Sequence, residues 1–155
     1  MTFLSPSIAA RVREEFGTPT YVYDRASLEQ SAQTALAMPA PYGMTLRYAM
    51  KANPNLGILR IFRELGLHID ASSDHEVERA LRAGFAPDHI QLTSQNPSRR
   101  LAQFTALGVL FNACSLYQLE EFGRIAPGGT VCVRINPGLG SGGTNRTNTG
   151  GPASR

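Results

Sequence analysis

Of the fifteen Lys and Arg residues in this chain, only Lys51 is a lysine. The chain uses Arg almost wherever it needs a cation. Its single Lys therefore marks a position where a guanidinium does not serve. An amine that must lose its proton and attack a carbonyl carbon is such a position, because guanidinium stays charged and is a poor nucleophile. The competing reading is one surface Lys kept by chance. Lys51 lies in Tyr48-Ala49-Met50-Lys51-Ala52-Asn53, just after the strand-like run Leu46–Met50. Partial desolvation by these apolar neighbours is expected to favour the neutral amine, the form that makes a Schiff base.

Other chemistry-bearing residues offer less. His68, His75 and His89 are not expected to cluster, and no metal is expected. Ser73 with Glu76, and Ser115 with Gln118, have the spacing of helix capping boxes. Gly138-x-Gly140-x-x-Gly143 follows a strand and matches a dinucleotide fingerprint. No helix pattern follows to present its N-terminus to a pyrophosphate, so that reading is rejected. A phosphate-facing or lid loop and a plain loop stay open. Tyr48 is expected to pack.

The elements that would position Lys51 have a regular rhythm. A helix is expected from Ser5-Pro6 to Gly17, then a short strand Thr20–Tyr23, then a helix from Asp24 towards Met38. Strands follow at Leu46–Met50, His68–Ala71, Ile90–Thr93, Val109–Asn112 and Thr130–Ile135. Helices follow at Leu56–Leu65, from Ser73 to Gly84, from Asn96-Pro97 to Gly108, and from Ser115 to Ile125. Strands thus recur roughly every 21 residues with a helix between them, which implies a parallel sheet. Two architectures fit: an open doubly wound sheet, or a (β/α)8 barrel of roughly 250 residues. After Ile135 the chain is nearly all Gly, Asn, Thr and Ser, with no helix pattern to cover the last strand. The expected fold is therefore an incomplete (β/α)8 TIM barrel, with about five βα units after an N-terminal helix and short strand.

Composition narrows the function. No apolar run approaches the ~18–20 residues needed to span a bilayer. Met1 to Arg13 carries no basic segment followed by an apolar stretch, so no secretory signal is expected. Cys114 and Cys132, in apolar strand-like segments, read as small core residues of a cytoplasmic protein. The net charge of +3 comes from scattered residues, with Arg99-Arg100 the one basic pair. Nucleic acid is not an expected partner.

The lysine segment also resembles a known motif. Tyr48 to Asn53 is similar to the cofactor-lysine motif of the alanine-racemase-like pyridoxal-phosphate barrels. Phe16-Gly17-Thr18-Pro19-Thr20-Tyr21-Val22-Tyr23 resembles that family's N-terminal signature. Asp70-Ala71-Ser72-Ser73 with Glu76 resembles its second-strand segment. Arg134-Ile135-Asn136-Pro137-Gly138 and Thr147-Asn148-Thr149-Gly150-Gly151 resemble the diaminopimelate decarboxylases. The resemblance implies pyridoxal 5'-phosphate as cofactor, with Lys51 as its Schiff-base residue. It implies Asp70 and Arg134 near the cofactor, at the ends of the second and fifth strands. Asp70 satisfying a loop amide, and Arg134 pairing with a structural carboxylate, remain open.

The implied reaction is α-decarboxylation of an amino acid, foremost meso-diaminopimelate to L-lysine. Residues 1–155 would be the N-terminal part of the cofactor-binding barrel domain. The later barrel units and a C-terminal β-domain would lie outside it, along with the cofactor's phosphate and ring-nitrogen partners. On its own such a fragment is expected to be inactive. The family suggests a homodimer, and open sheet edges suggest self-association. The alternatives are an amino-acid racemase on the same barrel, a noncatalytic cofactor-binding or interaction fragment, and an unrelated open-sheet binding protein.

Overall fold

The computed structural model describes residues 3–140. The chain divides into two compact units, Met1–Met44 and Thr45–Arg155. In the first, helix α1 spans Pro6–Phe16, with Ser5 accepting from the Ile8 amide at 3.3 Å and Pro6 in the opening turn. Helix α2 spans Arg25–Leu36, capped by Asp24, which accepts from the Ser27 amide at 3.1 Å. The bond from the Ser27 hydroxyl holds the Asp24 carboxyl below its usual range. The short strand expected at Thr20–Tyr23 does not form. These residues join no sheet among the described residues, and Tyr21 is exposed. A strand needs a partner's hydrogen bonds, whatever its propensity.

The second unit alternates strand and helix: β1 (Arg47–Ala49), α3 (Leu56–Glu64), β2 (His68–Ala71), α4 (Asp74–Arg82), β3 (Ile90–Thr93), α5 (Leu101–Leu107), β4 (Leu110–Ala113), α6 (Leu116–Ile125) and β5 (Cys132–Val133). Short 3-10 turns occupy Met50–Ala52 and Pro87–His89. The five strands lie in the order β1-β2-β3-β4-β5, each parallel to the next. This order settles the architecture. A doubly wound sheet reverses its strand order at a switch point and takes helices on both faces. Here the order never reverses. Right-handed crossovers then bring every connecting helix to the same face, as in a barrel wall.

Burial follows that geometry. Ile69, Ala71, Ile90, Leu92, Phe111 and Ala113 pack under the helices, against Leu59, Val77, Phe104 and Phe122. The alternate positions Asp70, Gln91, Thr93 and Asn112 are half-buried on the uncovered face. Glycines close the helices where the chain must turn with positive φ. Gly108 is left-handed at φ 93° after α5. Gly84 has φ 92°, and a Cβ there would collide with the Arg63 guanidinium, which donates to the Ala83 carbonyl at 3.0 Å.

Two elements differ from expectation. Helix α5 begins at Leu101, later than Asn96-Pro97. Side chains compete for the intervening amides: Asp74 accepts from Arg99 at 3.1 Å, and Ser98 from Arg100 at 3.1 Å. Strand β5 is only two residues long and exposed, since β4 is its sole described neighbour. One further bond, from the Arg134 amide to the Ala113 carbonyl at 2.8 Å, extends its ladder. The cysteines are not core residues: Cys114 is half-buried and Cys132 is exposed on that edge strand.

Candidate active site

Lys51 stands where β1 ends, in the turn Met50–Ala52. The preceding side chain, Met50, is fully buried in the core. Anchoring Met50 leaves Lys51 exposed at the strand end. Tyr48 braces the turn from below: its ring packs on Phe62 at 4.6 Å between centroids, and its hydroxyl donates to the Asn53 carbonyl at 3.2 Å. Asn53 accepts from the Asn55 amide at 3.0 Å, and Asn55 caps α3 through the Gly57 amide at 2.8 Å. The motif residues around Lys51 are thus the scaffold that presents it. The apolar desolvation expected of Lys51 is not supplied by the described residues.

Asp70 lies on β2 beside Ala49, on the uncovered face. It takes no loop amide from the described residues. Its Oδ1 accepts from the Thr93 hydroxyl at 2.6 Å, and that hydroxyl accepts from the Asn112 amide nitrogen at 3.4 Å. A hydrogen-bonded row therefore crosses β4, β3 and β2. Arg134 follows β5, half-buried, and makes no ion pair with a described residue. Lys51, Asp70 and Arg134 all sit at the C-terminal end of the sheet, where parallel barrels gather their chemistry. No hydrogen bond or ion pair joins any two of the three.

The capping boxes form with a shift. Ser73 accepts from the Glu76 amide, while Glu76 reaches past the cap to the Ser72 amide at 2.7 Å. Ser115 accepts from the Gln118 amide, and Gln118 Oε1 takes the Cys114 amide at 2.7 Å. Gln118 is buried, and its Nε2 also donates to the Ser94 carbonyl at 2.8 Å. Both helix N-termini are occupied by their own side chains.

At the opposite end of the strands, His68 and His89 do cluster. Their rings stack at 3.9 Å, beside Arg47, which pairs with His68 in register. His75 stands apart near Glu78. Burial, followed by the charges of His89 and Arg47, pushes the His68 imidazole below its ordinary value. No group of three metal-ligating side chains occurs among the described residues.

Sequence reasoning missed Thr93, Asn112 and the second role of Gln118. For Asn112 and Gln118 the signal was an internal repeat, which marks the residues but not the row they join; Thr93 had none. Ile69-Asp70-Ala71-Ser72-Ser73-x-x-Glu76 recurs two βα units later as Phe111-Asn112-Ala113-Cys114-Ser115-x-x-Gln118. The Gly138-Gly140-Gly143 pattern shows no helix as far as residue 140. Gly143 and the Thr147–Gly151 segment lie outside the described residues.

Comparison with known proteins bears on the family and the fold. Residues 25–155 match the family described as pyridoxal-dependent decarboxylase, pyridoxal binding domain. The chain is 41% identical over 155 residues to a diaminopimelate decarboxylase of Streptomyces coelicolor, covering 97% of this chain and 34% of that protein. A crystal structure of diaminopimelate decarboxylase superposes with a TM-score of 0.82 at 37% identity, over 96% of this chain and 35% of the other. The Helicobacter pylori diaminopimelate decarboxylase complexed with L-lysine superposes at 0.79 and 28% identity, over 84% of this chain and 35% of that one. The chain spans about a third of the length of these relatives.

Proposed function

This chain belongs to the pyridoxal-dependent decarboxylases, and from that premise we propose that Lys51 holds pyridoxal 5'-phosphate covalently in an enzyme that removes the α-carboxylate of an amino acid. The substrate is meso-diaminopimelate and the product L-lysine. One observation carries the reading: the only Lys in the sequence is the side chain that the buried Met50 leaves at the open end of β1. The residues present fit the cofactor. A primary amine at a strand end is the donor its aldehyde requires, and the uncovered face beside it is polar rather than apolar.

Pyridoxal phosphate, when bound, supplies the electron sink for the electron pair that departing carbon dioxide leaves behind. The chain's own residues supply placement. Lys51 would hold the group through Nζ, its neutral amine condensing with the aldehyde with loss of water. Asp70 brings a carboxylate to the neighbouring strand end, and Arg134 brings a cation from the far side of the sheet. Ser73 and Ser115 cap α4 and α6, and Glu76 and Gln118 take the amides just before those caps.

The same reading makes residues 1–155 the N-terminal part of the cofactor-binding barrel domain, in a cytoplasmic homodimer. It favours little or no turnover by the 155-residue chain, since Lys51 alone neither orients the ring nor makes it electron-poor. No described helix is long and apolar enough to cross a membrane. The test is a titration of the purified chain with pyridoxal phosphate, followed by visible imine absorbance. A saturable band is expected from the native chain, and from Lys51→Ala only the weak absorbance that the N-terminal amine gives. Equal bands from both would refute the assignment.

A further inference from the structure

Barrel interiors are filled mainly by branched apolar side chains. The uncovered face of β2, β3 and β4 instead carries Asp70, Thr93 and Asn112 in one hydrogen-bonded row. A polar row on that face costs stability, unless its members satisfy one another or serve something outside the row.

The register shows what the row does to Asp70. Asp70 pairs with Gln91, not with Thr93. Thr93 lies two residues further along β3, towards the C-terminal end of the sheet. The 2.6 Å bond from the Thr93 hydroxyl therefore ties the carboxylate diagonally to a residue nearer that end. On the other side, Asp70 pairs with Ala49, and Lys51 follows in the 3-10 turn Met50–Ala52 that leaves that strand end. That tie holds the carboxylate towards the strand end where Lys51 stands. A hydroxyl has one proton. Thr93 spends it on Asp70, and its lone pair faces the Asn112 amide, so the row has one direction, amide to hydroxyl to carboxylate. Oδ1 is engaged by Thr93, and no described residue bonds Oδ2.

We propose that Thr93, held by Asn112, is a positioning residue that fixes the Asp70 carboxylate towards the strand end that carries Lys51. The proposal rests on the cofactor reading for its purpose and on the row alone for its geometry. Two measurements separate these. The first is cofactor-free: the carboxyl carbon resonance of Asp70, assigned by its loss in Asp70→Asn. It should move in Thr93→Val, return in Thr93→Ser, and move less in Asn112→Ala. The second is pyridoxal phosphate affinity by visible absorbance. Thr93→Val and Asp70→Asn should each weaken it about tenfold, as for loss of one charge-assisted hydrogen bond. The double variant should be no weaker than Asp70→Asn, and Thr93→Ser should stay near the native value. An Asp70 resonance indifferent to Thr93→Val, or shifted equally by Val and Ser, overturns the proposal. So do independent, multiplying losses of affinity. A moved resonance in a chain that takes no cofactor upholds the geometry and refutes the cofactor reading instead. Should Thr93→Val fail to fold, Asn112→Ala and Thr93→Ser give the same contrast.

Discussion

The β2–α4 and β4–α6 units use one backbone device with two chemistries. In each, a buried Ala ends the strand, a Ser caps the helix, and the residue three further on bonds the amide before the cap. The first unit carries acids at its two variable polar positions, Asp70 and Glu76. The second carries the matching amides, Asn112 and Gln118. A carboxylate only accepts, so Glu76 closes its own loop. An amide also donates, so Gln118 reaches across to Ser94 and Gln95 and ties two loops together. The backbone geometry is therefore independent of charge. The charge stands on the strand that pairs with the one bearing Lys51, and the neutral copy serves as a staple two strands away.

The staple gives the largest expected effect of the two. Gln118→Leu strands the Cys114 amide and the Ser94 carbonyl in a buried site, and should cost about 2–3 kcal/mol in urea unfolding. Glu76→Leu, half-buried with one such bond, should cost about 1 kcal/mol. Equal losses would break the contrast between staple and loop closure. The shared part predicts equality instead. Ser73→Ala and Ser115→Ala should each lose about 1 kcal/mol, because the caps have the same geometry. A large difference between them would show that the two units are not one device.

The smallest effect lies at the other end of the strands. His68 in the folded chain binds its proton less readily than an ordinary imidazole, through burial and then His89 and Arg47, with Asp88 opposing. Its depressed folded value means the unfolded chain binds more protons in the window between the two values. Stability should therefore be full above about pH 6.5 and fall as pH drops from there to the folded value. His68→Gln should flatten that slope in thermal melts at several pH values. An unchanged slope would assign the dependence elsewhere.

The contrast between units also explains what was legible in the sequence. His68–Ala71 and Ile90–Thr93 form as read, because their apolar alternation and flanking turn residues lie within one short window. The place of Lys51 just after the first strand was legible from the short window Leu46–Asn53, and the structure puts it in the turn that follows β1. The Asp70-Thr93-Asn112 row was not, because it depends on register and on a diagonal bond between strands far apart in sequence. Thr20–Tyr23 has strand composition but no partner, and partnership is not a local property. His68 and His89 stack because β2 and the turn before β3 start at the same level, a coincidence that only the sheet order reveals.

The central claim is that Lys51 is the cofactor's attachment point. A native chain offers two kinds of amine, the single lysine and the N-terminus. The direct measurement is borohydride reduction of the chain loaded with pyridoxal phosphate, followed by peptide mass spectrometry. The account predicts a stable adduct on the peptide containing Lys51. Labelling confined to the N-terminal amine, with Lys51 unmodified, would contradict it.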